Sequence, residues 1–196
     1  MAALDPEDIQ LARECRAGSL PAYDRLVAKY HARVFAFLLT LTRHRHDAED
    51  LTQETFLRAW RKFDRYDSKQ PLLPWLFTIA RRLSISMLRK RKPMPTPEPE
   101  QVVLPVEQPD TSIWRLAEAQ LSREAFTALW LHYHDELPLA QVGKILGKRE
   151  GAVKVMLHRA RKTLAGHLQQ MRNQPPPLPA TPPPLPSIWN SAQTTP

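Results

Sequence analysis

Residues 47–63, DAEDLTQETFLRAWRKF, set the reading of the whole chain. Asp47 can cap a first helical turn, and Glu49 and Asp50 fall where a helix N-terminus favours negative charge. Ala48, Leu51, Thr55 and Ala59 recur at helical spacing, and Phe56, Trp60 and Phe63 widen that stripe toward a core. Glu49, Asp50, Gln53, Glu54 and Leu57 are then left facing outward or at the border. A surface of this kind serves equally well as a solvated face or as a docking face.

Working outward, proline marks the boundaries, because it lacks a backbone donor and is poorly tolerated inside helices. Six of the 20 prolines fall between Pro93 and Pro109, and nine between Pro175 and Pro196. The chain therefore reads as a helical block over 5–92, a linker over 93–111, a second helical block over 112–170 and a tail over 171–196. Neither a period-two run of β-branched residues nor a high glycine content argues for a sheet, so the fold class is all-α.

The first block reads as four helices. An opening helix carries Ile9, Ala12 and Cys15, and Pro21 can start a second that continues to about Thr42. The third is 47–63. Pro74 stands in the first turn of the fourth, with Leu76, Ile79, Ala80, Leu83 and Met87 inward and Arg81, Arg82, Ser86 and Arg89 outward.

The second block reads as a bundle that closes with two helices joined by a tight turn. Pro138 can begin a short helix bearing Val142, Ile145 and Leu146, and Gly147 tolerates the positive φ of its C-terminal turn. The last helix is expected to bury Val153, Leu157, Ala160, Leu164 and Leu168. Lys148, Arg149, Lys154, Arg159, Arg161 and Lys162 stand against the single acid Glu150. A helix after a tight turn, apolar inward and cationic outward, fits a DNA major groove about 12 Å wide.

The segment at 47–63 resembles the polymerase-binding helix of bacterial sigma factors of the extracytoplasmic-function (ECF) group of the sigma-70 family. PWLFTIARRLSISMLRKRK at 74–92 and LAQVGKILGKREGAVKVMLHRARKTL at 139–164 match the same family in the expected order. The resemblance implies a sigma domain 2-like unit and a sigma domain 4-like helix-turn-helix unit, joined by the proline-rich linker and followed by a proline-rich tail. It also implies core RNA polymerase and promoter DNA as partners, an anti-sigma protein as a further partner, a cytoplasmic location, and no catalytic residue, metal or cofactor.

Carried onto this chain, the polymerase-binding residues are Asp47, Glu49, Asp50, Gln53, Glu54 and Leu57. The minus-ten element falls to Asp67, Ser68 and Lys69 in a loop and to Arg81, Arg82, Ser86 and Arg89 on the helix after it. The minus-thirty-five element falls to Lys148, Arg149, Glu150, Lys154, Val155, His158, Arg159 and Arg161. The chain departs from relatives at several of these places. Arg82 and Ser86 stand where asparagine and aspartate are frequent, and Arg149 stands where a serine would cap the recognition helix. Ala152, Val155 and Met156 replace polar or basic side chains.

Composition limits the alternatives. A formal charge of +8 and a pI near 9.9 call for a polyanionic partner. The chain lacks any stretch of about 18 uncharged apolar residues, so membrane insertion is not expected. Cys15 is the only cysteine, which excludes an internal disulfide, and its apolar surroundings predict a buried thiol. The histidine pairs His44/His46 and His132/His134 have a spacing that does not share a helix face. Phosphate-cradling glycine loops and nucleophile motifs are not found in the sequence. The tail repeats PPPLP, which suits either an unstructured end or an extended ligand for this chain or a partner. The competing function is a helix-turn-helix DNA-binding regulator that does not recruit polymerase.

Overall fold

A computed structural model describes residues 5–90 and 111–173 of the chain, and the expectations for the linker and for the tail past Asn173 lie outside them. Every regular element among the described residues is helical. α1 (Pro6–Arg16) starts at Asp5, whose carboxylate accepts the Glu7 amide at 3.0 Å, with Pro6 in the first turn. α2 (Leu20–Thr42) is capped by Ser19 and ends on Arg43 in the left-handed region, φ 54°. Lys29 ties α1 to α2 through Asp5, Glu7 and Asp8 at 2.8, 2.5 and 2.9 Å.

α3 (Arg45–Arg61) begins two residues earlier than the sequence suggests. His44 is its cap, and its Nδ1 accepts the Asp47 amide at 3.5 Å. Asp47 is therefore inside the helix and buried, because the break after α2 is only two residues long and swings the first turn of α3 onto the core. A short 3-10 turn over Phe63–Arg65 leads to α4 (Leu72–Lys90), with Pro74 in its first turn as expected. Ala48, Leu51, Thr55, Phe56, Ala59 and Phe63 are all buried, as the periodicity of 47–63 requires, and Phe37 stacks on Phe77 at 4.4 Å in the centre of the block.

The second block comprises α5 (Thr111–Gln120), α6 (Arg123–Tyr133), α7 (Leu139–Leu146) and α8 (Glu150–Asn173). Trp130 and Phe126 are its largest buried side chains, and Trp114 packs edge-on against Trp130 at 5.1 Å. The turn from α7 to α8 depends on two glycines. Gly147 takes φ 65°, and a Cβ on Gly143 would lie 2.7 Å from the Lys148 carbonyl oxygen, which the tight turn folds back over the helix. That same fold-back lets the Lys148 amide donate to the Gly143 carbonyl at 2.8 Å.

The blocks also meet along a seam, α2 against α6 and α4 against α7. Arg33 Nε donates to Asp135 Oδ1 at 3.0 Å, and the Asp135 side chain is only 1% exposed. Thr40 and Thr127 face each other at 3.5 Å, and Arg43 Nη2 donates to the Glu118 carbonyl at 3.1 Å.

Candidate functional site

The outward face of α3 is acidic, polar and partly apolar. Arg45 Nε reaches Glu49 at 2.9 Å, His46 lies 3.7 Å from Asp50, and Arg58 Nε reaches Glu54 at 2.6 Å. These are i,i+4 pairs along one helix, each worth a few tenths of a kcal/mol when exposed. Gln53 is exposed, and Leu57 stands 53% exposed in the middle of this charged surface. Five of the six residues assigned to polymerase binding thus share one accessible face, and Asp47 does not. The sequence reading missed Arg45 and Arg58, which leave the face less negative than its acids alone imply.

The loop before α4 is ordered by its own polar contacts. Asp67 accepts the Lys69 amide at 3.0 Å and the Gln70 side chain at 3.3 Å. The Lys69 amide, with Gln70 adding, holds the Asp67 carboxyl below its ordinary range. Arg16 donates to the Tyr66 carbonyl, and the Tyr66 hydroxyl donates to the Gln70 carbonyl, so the loop hangs from a buried tyrosine. Trp75 packs 5.3 Å from Phe63 and 4.9 Å from Tyr66, half-buried at the edge of that cluster. Asp67, Ser68 and Lys69 remain exposed at the tip.

On α4 itself Arg82 and Arg89 are exposed, and Ser86 is half-buried. Arg81 is half-buried, and its Nη1 comes within 3.6 Å of a Cβ built on Gly147, so its guanidinium lies against the turn of the second block. Ile85 and Leu88, which the reading passed over, stand 45% and 37% exposed among these cations.

Arg149, just before α8, and Glu150, Lys154, Val155, His158, Arg159 and Arg161 on it are all exposed. Lys148 is half-buried and pairs with Glu124 at 3.2 Å, so it is committed within the block. No carboxylate among the described residues pairs with Lys154, Arg159, Arg161 or Lys162. The Arg149 carbonyl accepts the Ala152 and Val153 amides at 3.0 and 3.2 Å, whereas its guanidinium has only donors and cannot cap the helix. Val153, Leu157, Ala160 and Leu164 are buried as expected, but Leu168 is 44% exposed. The last turns of α8 run past the end of the bundle, so the apolar spacing continues after the core has stopped.

Cys15 is buried as expected, and its desolvation pushes the thiol up to about 11. Among the described residues no group of three or more His, Cys, Asp or Glu side chains is arranged to hold a metal. No described helix is long and apolar enough to cross a membrane.

Two family models match the chain in order, sigma-70 region 2 over residues 26–93 and sigma-70 region 4 over residues 114–164. The chain is 33% identical over 150 residues to the ECF RNA polymerase sigma factor SigM of Bacillus subtilis, spanning 72% of this chain and 91% of that protein. It is 28% identical over 180 residues to SigW of the same organism, spanning 81% of this chain and 95% of the relative. Among solved structures, the sigma factor RpoE in complex with the anti-sigma factor NepR from Bartonella quintana superposes with a TM-score of 0.58 at 25% identity, over 75% of this chain and 96% of that one.

Proposed function

Because this chain belongs to the ECF RNA polymerase sigma factors of the sigma-70 family and so acts in transcription initiation with core RNA polymerase and promoter DNA, we propose how its surfaces divide that work. The unit over 5–92 is a sigma domain 2-like module that binds core polymerase through the outer face of α3, with Glu49, Asp50, Gln53, Glu54 and Leu57 as contacts. The unit over 112–170 is a sigma domain 4-like module that places α8 in the major groove of the minus-thirty-five element. The segments 93–110 and 174–196 are a linker and an appended tail. The observation that carries this division is the contrast between an exposed leucine on an α3 face whose acids are paired within the helix and a set of unpaired cations on α8.

The physical division of labour follows. An exposed leucine flanked by Gln53, Glu54, Arg58 and Arg61, on a face whose acids are paired within the helix, suits a protein surface that brings apolar area and complementary charge together. Unpaired cations at Lys154, Arg159 and Arg161 suit phosphates, whose neutralisation releases counterions. On α4, Arg82 and Arg89 track the backbone of the opened minus-ten strand, while Asp67, Ser68 and Lys69 meet its bases. Opening duplex DNA costs about 1.4 kcal/mol per base-pair step, so capture of several exposed bases must offset several such steps. The chain acts as a non-catalytic, cytoplasmic subunit, and the RpoE–NepR complex supports an anti-sigma partner for it as well.

Reconstitution tests this reading. Purified chain mixed with bacterial core polymerase should co-migrate in gel filtration and support run-off transcription from a subset of genomic fragments. DNA binding without co-migration would instead fit a helix-turn-helix regulator.

A further inference from the structure

We propose that α8 reads thymine in the minus-thirty-five element through its C5-methyl group, with Val155 and Ala152 as the contacting side chains and Gly151 letting the helix backbone come close to the base edges. The inference rests on the assignment of α8 to duplex DNA made above, and adds a chemical class of base to it.

The buried stripe of α8, Val153, Leu157, Ala160 and Leu164, fixes which side of the helix faces solvent. Opposite that stripe, one turn apart near the start of the helix, lie Gly151 and Val155. Val155 is 50% exposed, and Gly151 and Ala152 beside it are exposed too. Folding explains neither central residue. A Cβ added at Gly151 would meet nothing within 4 Å, so no packing demands a glycine there. Glycine and valine both weaken a helix relative to alanine, and an exposed valine buries little in return.

The surroundings limit what could cover this patch. Lys154, His158 and Arg159 rim it, and none has a carboxylate partner among the described residues. The matching surface must therefore be anionic around an apolar spot. In the major groove the base edges offer hydrogen-bonding groups throughout, and the thymine C5-methyl is the apolar exception. Side chains with no polar atom cannot read guanine, adenine or cytosine there, but they can bury that methyl. Met156 and Leu121 line the adjoining depression and back the patch from the protein side.

Replacing thymine by deoxyuridine removes the methyl and leaves the Watson–Crick edge unchanged, which makes the test selective. Holoenzyme reconstituted from the full chain and core polymerase would first enrich duplexes from a pool randomised over the upstream promoter element. Each thymine in the enriched window would then be replaced singly by deoxyuridine, and binding measured at fixed salt. For the wild-type chain, at least one replacement should weaken binding about fourfold, the equivalent of one buried methyl. V155S should lose that sensitivity while retaining its salt dependence, and V155T, which keeps one methyl, should fall between. Neutral deoxyuridine at every position, or an undiminished penalty in V155S, would overturn the proposal. If the pool yields no enriched sequence, the assignment of α8 to DNA fails and the inference falls with it, an outcome distinct from enrichment without methyl sensitivity.

Discussion

The outer faces of α3 and α8 are both exposed, both charged and both built on a helix whose other side is core, yet they treat their charges in opposite ways. On α3 each acid that faces out has a partner four residues away: Arg45 with Glu49 and Arg58 with Glu54 are ion pairs, and the His46 imidazole lies 3.7 Å from Asp50. On α8 the cations accumulate, and like-charged neighbours such as Arg159 and Lys162 sit one turn apart at a cost of a few tenths of a kcal/mol. A face already balanced within its own helix loses little by meeting another protein. One left unbalanced is completed only by a polyanion. The lesson is that the internal pairing of a charged helix face, more than its net charge, indicates the class of partner.

The largest effect should come from breaking the α3 side alone. L57D combined with E54K should weaken core polymerase binding by roughly 100-fold, equivalent to about 2.7 kcal/mol, as read by fluorescence titration. Thermal stability should move by less than about 0.5 kcal/mol, because both side chains are at the surface. If binding survives, the partner assignment of this face is wrong.

Next in size is a change that breaks the α8 side through its support. In G143A the new Cβ would press on the Lys148 carbonyl, a backbone atom that cannot step aside without opening the turn. The second block should lose about 1–3 kcal/mol of stability. Promoter discrimination should drop in footprinting experiments while co-migration with core polymerase through α3 persists. Loss of both together would mean that the two faces are not separable.

Smaller shifts sharpen the contrast. K154A and R161A should each reduce the steepness of the log–log salt dependence of promoter binding by about 0.9, with similar losses on all sequences. Neither should alter polymerase affinity.

The smallest test concerns neither face. Lys29, and then the Glu7 amide, hold the Asp5 carboxyl below its ordinary range. A depressed acid contributes stability that is complete above its unfolded pKa and is lost as pH falls through its folded one. K29M should raise the Asp5 midpoint toward the ordinary aspartate value in a carbon-detected NMR titration, with no change at α3 or α8.

Much of this was legible in the sequence. The stripe through Ala48, Leu51, Thr55 and Ala59 is buried as periodicity demands, and Pro138 and Gly147 bracket α7 as their backbone preferences require. Two residues went astray for the same reason. Asp47 turned inward and Leu168 outward because each sits where a helix meets or outruns its neighbours, which helical spacing does not encode. The seam was illegible altogether. Arg33 and Thr40 on α2, and Arg43 at its cap, look like ordinary surface positions in the sequence, and nothing around Asp135 announces a carboxylate destined for burial. Such contacts depend on two helices separated by about a hundred positions, beyond the reach of any local pattern.

That seam has a geometric consequence. A packed body of about 150 residues is roughly 40 Å across, whereas promoter elements centred about 25 base pairs apart lie some 85 Å apart along B-form DNA at 3.4 Å per step. If the two blocks take the two elements as proposed, one compact particle cannot touch both, and loading onto a promoter would require the halves to part; the 20 residues between Lys90 and Thr111 allow a covalent reach of up to about 70 Å. Their junction is suited to release: Arg43 Nε and Asp135 Oδ2 are buried there with no hydrogen-bond partner in the protein, a penalty that separation into water relieves.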